Sequence, residues 1–98
     1  MPAYVVVDIS VNDAVTYERY KLLATGAIAA HGGRYLARGG ATQTLEGDWT
    51  PSRLVILEFP TSAKARAWWE SVEYSEAKAL RQASADTRMV LLDGMPST

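Results

Sequence analysis

Two strand-like segments that lack a polar face limit most strongly which folds this chain can adopt. They are Ala3 to Ile9, A-Y-V-V-V-D-I, and Arg53 to Phe59, R-L-V-I-L-E-F. Side chains of a strand alternate between the two faces of a sheet, and in both segments the odd-numbered and the even-numbered positions are mainly apolar. Asp8 and Glu58 are the only charges that interrupt these runs. A sheet built from such strands needs an apolar cover on each side.

The segments between and after these strands predict two helices and two further strands. Asn12 and Asp13 are N-cap residues for a helix that continues to His31, where Gly32-Gly33 ends it. A strand is predicted from Arg34 to Arg38, followed by a long loop to Pro51 with some extended structure at Thr42–Glu46. The second helix is capped by Thr61, breaks or bends near Ser71-Val72 and resumes from Glu73 to about Ala85, and a final strand follows from Thr87 to Asp93.

The resulting order, β-α-β-β-α-β, is that of the ferredoxin-like fold. This α+β class has a four-stranded antiparallel sheet with two helices on one face, because right-handed crossovers place both helices on the same side. We therefore expect a single ferredoxin-like domain over residues 1–98. The second face of the sheet would be bare in one chain, and an apolar patch of that size is unusual on a monomer. The sequence predicts that a second copy covers it in a homodimer.

Composition argues against several classes of function. Ten Lys+Arg against eleven Asp+Glu give a net charge of −1, so the chain lacks the positive charge that nucleic-acid binding requires. Zero cysteines and one histidine leave too few ligands for a multi-histidine or thiolate metal site in one chain. The sequence contains no recognisable membrane-spanning run or signal peptide. We expect a cytoplasmic protein with no cofactor, no metal, no nucleic-acid partner and no membrane association.

Several short motifs occur in the order typical of a known family. They are His31-Gly32-Gly33-Arg34-Tyr35, Arg38-Gly39-Gly40, Leu45-Glu46-Gly47 with Trp49 and Pro51, Leu54 to Phe59, Ala67-Trp68, Ser71 with Glu73-Tyr74, and Arg81. With them the chain resembles, from Tyr4 to about Gly94, the bacterial family named domain of unknown function 1330, a branch of the dimeric α+β-barrel superfamily. Trp69 and Val72 depart from this family, in which tyrosine and proline are common at those positions.

The resemblance implies a dimeric α+β barrel and leaves the chemistry open. The superfamily includes cofactor-free monooxygenases, haem-degrading enzymes, chlorite dismutases and small-molecule sensors. A shared fold does not choose among such activities, so the functional residues have to be judged by their own chemistry.

His31 is the only imidazole, and it stands where the first helix ends. As a functional group it would be a general base or a hydrogen-bond donor to a substrate, because its pKa lies near neutral pH. As a structural group it would be a C-cap residue that interacts favourably with the helix dipole. Both interpretations stay open on the sequence.

Arg38 and Glu58 are charges within otherwise apolar strands. A register with Leu36 opposite Ile56 places Arg34 near Glu58 and puts Arg38 on the same face. A charge that points into a covered face costs free energy unless it is paired. Arg38 and Glu58 therefore predict either a polar cavity for an anionic or carbonyl-bearing ligand or a buried Arg–Glu pair that fixes the register or the dimer contact.

The second cluster is aromatic and basic, and it comprises Trp68-Trp69, Tyr74, Lys78 and Arg81. The last three share one helical face because they are spaced at i, i+4 and i+7. A bend just before Tyr74 would open a gap between helix and sheet, lined by indole and phenol groups that suit a small planar ligand. In the structural alternative to a ligand site, one of the two tryptophans belongs to the core and the other lies at a dimer interface.

These observations favour a small-molecule-binding or sensor module with a helix–sheet cleft in a homodimer. The alternatives are a cofactor-free enzyme of the monooxygenase or isomerase type, acting on a small aromatic or carbonyl-bearing acid with His31 as general base, and a purely structural dimerisation domain. The candidate substrate-binding residues are Arg38, Glu58, Trp69, Tyr74 and Arg81.

Overall fold

A computed structural model describes residues 1–96 of the chain. Its elements are β1 (Ala3–Val11), α1 (Ala14–Ala30), β2 (Arg34–Arg38), β3 (Leu54–Phe59), α2 (Ser62–Trp69), α3 (Val72–Ser84) and β4 (Ala85–Asp93). The predicted β-α-β-β-α-β order is confirmed, with the second helical region divided into α2 and α3. Each strand and helix predicted from the sequence is present, although several ends differ by a few residues.

The four strands form one antiparallel sheet in the order β2-β3-β1-β4. The odd-numbered side chains of β1 and β3 are buried under the helices, and the even-numbered ones are only partly buried. The Cα atoms span 41 × 38 × 16 Å, so the molecule is a flat two-layer body. The ferredoxin-like α+β architecture with all helices on one face is therefore confirmed.

Capping residues fix the two ends of α1 as the sequence predicts. The side chain of Asp13 accepts hydrogen bonds from the amide of Thr16 (3.2 Å) and from its hydroxyl (2.7 Å). These bonds, the hydroxyl bond first, hold the pKa of Asp13 below its usual value. At the other end His31 is the C-cap residue, and Gly32 has a φ of 79°, a left-handed conformation that glycine adopts without steric penalty.

The second helical region is broken near Ser71, which is one of the two outcomes predicted there. Thr61 caps α2 by accepting a hydrogen bond from the amide of Lys64 (3.1 Å). Ser71 caps α3 through its hydroxyl, which accepts from the amide of Tyr74 (3.1 Å) and donates to the carbonyl of Trp68 (2.7 Å). The hydroxyl of Ser71 thus joins the end of one helix to the start of the next, and the chain turns there.

The predicted register of β2 is correct at one end and wrong at the other. Arg34 lies opposite Glu58 as expected. A bulge between Tyr35 and Ala37 then shifts the pairing, so that Arg38 lies opposite Val55 rather than Leu54. An extra residue in one strand moves all later side chains to the other face. Arg38 therefore lies on the helix side, and Glu58 lies on the opposite side.

The long loop predicted between β2 and Pro51 is present, and residues 42–46 pair with no strand. Asp8 of β1 holds this loop. Its carboxylate accepts hydrogen bonds from the indole N–H of Trp49 (3.1 Å) and from the amide of Ser52 (3.1 Å). A single side chain thus anchors the loop to the sheet.

The sheet face away from the helices is apolar in its middle and carries no helix. We call it the open face. It is formed by the even-numbered positions of β1, β3 and β4, which lie opposite one another in the sheet register. Val90 and Leu92 expose 62% and 57% of their surface. The apolar members of the open face are Tyr4, Val6, Leu54, Ile56, Val90 and Leu92.

Gly33 offers a test of how tightly α1 packs on the sheet. A β-carbon at this position would lie 2.7 Å from Cζ of Phe59 and 2.8 Å from Cγ2 of Ile28, both within the core. We expect Gly33→Ala to lower the free energy of unfolding by about 1–3 kcal/mol, since overpacking forces the core apart. Urea denaturation followed by circular dichroism measures this.

The matched control is Gly26→Ala, because Gly26 lies inside α1 with open space around its Cα atom. That variant should gain about 0.5–1 kcal/mol from the higher helix propensity of alanine. Equal changes in the free energy of unfolding of the two variants would contradict the close packing at Gly33.

Candidate functional site

An apolar cleft lies between α2 and the edge strand β4. Its volume is about 210 Å³, and we call it the α2–β4 cleft. Its lining residues come from β1, α2 and β4, and they are Val5, Ala65, Arg66, Trp68, Trp69, Met89 and Leu91.

The cleft exists because the helix layer ends before the sheet does. β4 is an outer strand, and of the helices α2 lies nearest to its middle part. Met89 and Leu91 point to the helix side, yet Leu91 remains 39% exposed. An apolar edge strand with both faces partly bare is uncommon, because it invites association. The cleft is therefore a gap on the helix side of the sheet that the side chains of one chain do not fill.

The neighbouring tryptophans of α2 take opposite roles. Trp68 is 1% exposed and packs on Phe59 and Tyr74, with ring centroids 5.4 and 4.3 Å apart. Trp69 is 41% exposed and lines the cleft. The ammonium of Lys78 lies 3.9 Å from the centre of the Trp69 ring and donates to the Trp69 carbonyl (2.9 Å). The prediction that one tryptophan belongs to the core is confirmed.

The polar groups of the cleft are few. Arg66 is its only charged lining residue, and its guanidinium lies 3.7 Å from the carboxylate of Glu70 in a mainly exposed pair. Such surface pairs contribute little stability and exchange partners easily. The indole N–H of Trp68 is buried without a hydrogen-bond partner among residues 1–96. The cleft therefore offers aromatic and aliphatic contact together with one charged donor, the guanidinium of Arg66.

Tyr74 and Arg81 lie deep between α1 and α3, together with Tyr20. We call these three residues the Tyr–Arg cluster. The hydroxyls of Tyr20 and Tyr74 are 3.1 Å apart, and Nε of Arg81 donates to the Tyr74 hydroxyl at 3.3 Å. Burial, followed by the proximity of Tyr74, raises the pKa of Tyr20 far above its ordinary value. Tyr74 is fully buried, so the predicted phenol-lined gap beside the bend is absent.

Arg38 and Glu58 do not meet. Glu58 pairs with Arg34, with distances of 2.8 Å from Nε and 2.7 Å from Nη2 to the same carboxylate oxygen. The guanidinium of Arg38 lies 4.4 Å from the centre of the Tyr35 ring. The Arg–Glu pair across β2 and β3 forms with Arg34, which the predicted register already placed near Glu58, and not with Arg38. The ligand-binding role of Arg38 and that of Glu58 remain predictions.

His31 faces the start of α3. Its Nε2 atom is buried without a hydrogen bond and lies 3.9 Å from the carboxylate of Glu73. The C-cap assignment is confirmed, and a role as general base remains a prediction.

The structure therefore distributes the six sequence-predicted site residues over five places. Trp69 lies in the cleft, Tyr74 and Arg81 in the Tyr–Arg cluster, and the others apart from both. Sequence reasoning missed Met89 and Leu91, although their position in an apolar final strand was a usable signal. Within residues 1–96 no group of three or more His, Cys, Asp or Glu side chains is placed to hold a metal ion. In the same residues no helix is long and apolar enough to cross a membrane.

Comparisons with known proteins agree with this architecture. A family model described as "Domain of unknown function (DUF1330)" matches residues 2–95. No curated protein sequence matches the chain.

Similar folds occur among solved structures. A protein of unknown function from Rhodopseudomonas palustris has a TM-score of 0.79 and 21% identity, over 98% of this chain and 84% of that one. A dimeric ferredoxin-like protein of unknown function from Jannaschia sp. CCS1 has a TM-score of 0.71 and 15% identity, over 96% and 100%. The cofactor-independent oxygenase SnoaB from Streptomyces nogalater has a TM-score of 0.65 and 10% identity, over 98% and 95%. At these identities the similarity establishes the fold alone.

Lys78 provides a test of how the cleft wall is held. We expect Lys78→Met to lower the free energy of unfolding by about 0.5–1 kcal/mol, because it removes the cation over the Trp69 ring. The freed indole should also become more accessible to acrylamide. Fluorescence quenching in a Trp49→Phe background, where Trp68 and Trp69 are the remaining tryptophans, measures this.

Lys64→Met is the control, since Lys64 is an exposed lysine of the same helix as Trp69. Its stability and quenching should equal those of the parent. An unchanged quenching constant in Lys78→Met would contradict the proposed support of Trp69.

Proposed function

The chain belongs to the DUF1330 family of domains of unknown function, and from that premise we propose that its α2–β4 cleft binds a small organic molecule with one aromatic ring. The observation that carries this proposal is the apolar cleft walled by Trp69, Met89 and Leu91. Ligand sites are typically concave and mainly apolar, with a few polar groups that fix orientation.

The size of the cleft limits the ligand. Drug-sized molecules occupy pockets of roughly 300–1,000 Å³, and an apolar cavity of about 150 Å³ accommodates one benzene ring. The cleft, at about 210 Å³, therefore suits a single ring with a short substituent. A flat ring also matches the indole of Trp69. Offset stacking of two rings contributes about 0.5–1.5 kcal/mol of binding free energy beyond that of burying their apolar area.

The charge of the α2–β4 cleft favours a ligand with an anionic substituent. Arg66 is the only charged residue that lines the cleft, and its guanidinium carries a positive charge. Its weak contact with Glu70 leaves the guanidinium available to a carboxylate, which it can bind through two parallel hydrogen bonds. An aromatic acid thus satisfies both the apolar wall and the cation.

Binding is favoured over catalysis at this cleft. General acid–base chemistry requires a group that gains and loses a proton near neutral pH. Arginine is the only ionisable side chain among the lining residues. The groups that line the cleft therefore support holding and orienting a ligand, as in a binding or sensor module.

Benzoate is a suitable probe, and the methionines report on its position. In a sample with 13C-labelled methionine methyl groups, benzoate should shift the NMR signal of Met89, which lines the cleft. Met1 and Met95 are exposed and lie outside the lining, so their signals serve as internal controls. We expect Trp69→Ala to weaken binding by about tenfold through loss of ring stacking and apolar contact.

Trp49→Ala should leave benzoate affinity unchanged, because Trp49 lies at the loop that crosses the other side of the sheet. Equal shifts of all three methionine signals, or full affinity in Trp69→Ala, would contradict the cleft as a site. A dimer whose Met89 signal responds to no aromatic acid would favour the purely structural alternative.

We further propose that the open face is the contact surface of a homodimer. Its exposed apolar residues, Val90 and Leu92 among them, would lose contact with water against a second copy. A two-fold contact uses the same patch on both chains, so one surface serves both partners. The dimeric ferredoxin-like protein from Jannaschia sp. CCS1, of similar fold, supports this assembly.

Val90→Asp tests the dimer because it places a charge on the apolar part of the open face. Val90 is exposed in one chain, so the variant should stay folded while its carboxylate opposes burial against a partner. Light scattering after size exclusion should give the mass of two chains for the wild type and of one chain for the variant. Val15→Asp, on the exposed side of α1, should keep the dimer mass. A single-chain mass for the wild type at micromolar concentration would refute the assembly.

A second candidate function is a cofactor-free enzyme of the monooxygenase or isomerase type, acting on a small aromatic or carbonyl-bearing acid with His31 as general base. The observation that favours it is the buried Nε2 atom of His31, which has no hydrogen-bond partner within residues 1–96. A base needs such a free nitrogen to accept a substrate proton. The fold of the cofactor-independent oxygenase SnoaB is similar, which makes oxygen the first co-substrate to test.

Oxygen uptake with a dihydroxybenzoate distinguishes this enzyme from a binding module. If His31 is the base, His31→Ala should lose turnover by about a hundredfold or more while substrate affinity stays nearly constant. Absence of oxygen uptake in the wild type, or a parallel loss of binding and turnover, would argue against the enzyme.

A further inference from the structure

The two edges of the sheet differ in how they are protected against a further strand. β2, at one edge, has five residues, is bulged between Tyr35 and Ala37, and carries an arginine at each end. β4, at the other edge, has nine residues and pairs with β1 in an unbroken register. Short length, bulges and charges keep edge strands from pairing. β4 lacks the first two, and its residues 89–92, M-V-L-L, are uncharged, so this edge can accept another strand.

Hydrogen bonds at the two ends of β4 show which of its backbone groups face the free edge. At one end the Gly94 amide donates to the carbonyl of Pro2, directly opposite it (2.8 Å). At the other end the Asn12 amide donates to the carbonyl of Ser84, opposite it (2.8 Å). Opposed residues of an antiparallel pair alternate between bonded and non-bonded pairs. The even-numbered residues of β4 therefore bond to β1, and the odd-numbered ones direct their N–H and C=O groups to the free edge.

The same odd-numbered residues line the α2–β4 cleft. Met89 and Leu91 lie opposite Val7 and Val5, so their side chains point to the helix side, and both line the cleft. A chain that paired with their backbone groups would run along the cleft. Side chains of a strand alternate between the two faces of a sheet, so every second side chain of the added chain would point to the helix side, where the cleft lies.

We propose that the occupant of the cleft is the aromatic carboxyl-terminal residue of an extended peptide, whose backbone adds a fifth strand to the sheet beside β4. The proposal rests on the function proposed above, because it uses the same cleft and the same cation. The ring occupies the space of about 210 Å³ beside Trp69, and the terminal carboxylate pairs with Arg66. In strand addition, backbone hydrogen bonds to the edge give affinity and a pocket selects the side chain.

A second copy of the chain fits this edge less well than a peptide does. Pairing of two β4 strands would extend the sheet in its own plane and leave the open faces of both copies bare. The open face needs the cover more, because Val90 and Leu92 expose 62% and 57% of their surface there. A short peptide occupies the edge and leaves the open face to the second copy.

The peptide acetyl-Thr-Val-Phe, with a free terminal carboxylate, tests the proposal when its binding is followed by the 13C signal of the Met89 methyl group. The reference ligand is 3-phenylpropionate, which has the ring and the carboxylate of the last residue but no peptide bond. We expect the peptide to bind at least about tenfold more tightly, because two or more backbone hydrogen bonds are added.

The charge of the peptide terminus is tested with the carboxyl-terminal amide of the same peptide. It should bind about tenfold more weakly than the acid, because it loses the ion pair with the guanidinium. Arg66→Met should remove this difference between acid and amide. Arg19→Met, which removes an exposed arginine of α1, is the control and should keep it.

Two measurements identify a paired strand rather than a loosely bound chain. Successive amides of a strand point to opposite sides, so only one of the last two peptide amides faces β4. Methylation of one amide nitrogen should weaken binding about tenfold, and methylation of the other by about threefold or less. In the protein, bound peptide should slow amide hydrogen exchange at Met89 and Leu91, whereas the amides of Val90 and Leu92 are protected by β1 in the free protein already.

Equal affinities of the peptide and 3-phenylpropionate would overturn the proposal and leave the small-molecule site intact. Equal effects of the two methylations would overturn it as well. Slow exchange of the Met89 and Leu91 amides in the free protein would show that a second copy already pairs with the edge, which contradicts a peptide site. A Met89 signal that moves with neither ligand would overturn both this proposal and the function proposed above.

Discussion

The structure depends on burying one face of the β1–β3 pair under the helices. The odd-numbered residues of these strands, such as Val5 and Leu57, are almost fully buried, and they hold α1 and α3 against the sheet. The same strands are apolar on their even-numbered side as well, so burying one face leaves a second one bare. The helix layer covers one side of the sheet and ends short of its edge. This arrangement produces the open face, the exposed edge of β4 and the α2–β4 cleft.

Aromatic side chains connect the α2–β4 cleft to the Tyr–Arg cluster. Trp68 forms the inner wall of the cleft and packs on Tyr74, which in turn contacts Tyr20 and Arg81. The Tyr–Arg cluster therefore lies directly behind the cleft, although it does not line it. Rigid rings with few rotatable bonds hold both places in shape at a low cost in conformational entropy. A variant of Tyr74 would for this reason disturb both places.

The family and the fold could be predicted from the sequence because their signals are local. Asp13, Gly32 and Thr61 mark helix ends through caps that involve residues three or four positions away. The candidate site was harder to predict. The sequence placed Arg38 and Glu58 on one face of the sheet by assuming an unbroken register, and a single bulged position in β2 puts them on opposite faces. It also placed Tyr74 at an open gap, whereas the short distance from Tyr74 to Trp68 closes that gap.

The sequence by itself determined the order of the elements, the alternation that buries one face, and the surplus of apolar surface that calls for a partner. These properties depend on residues that are neighbours along the chain or on the strict two-residue period of a strand. The tertiary structure alone decided that β4 lies at the edge, that Met89 joins Trp69 in a cleft, and that Arg81 meets two tyrosines but no carboxylate. Those contacts join residues far apart in sequence, and register, bulges and the extent of the helix layer determine which of them form.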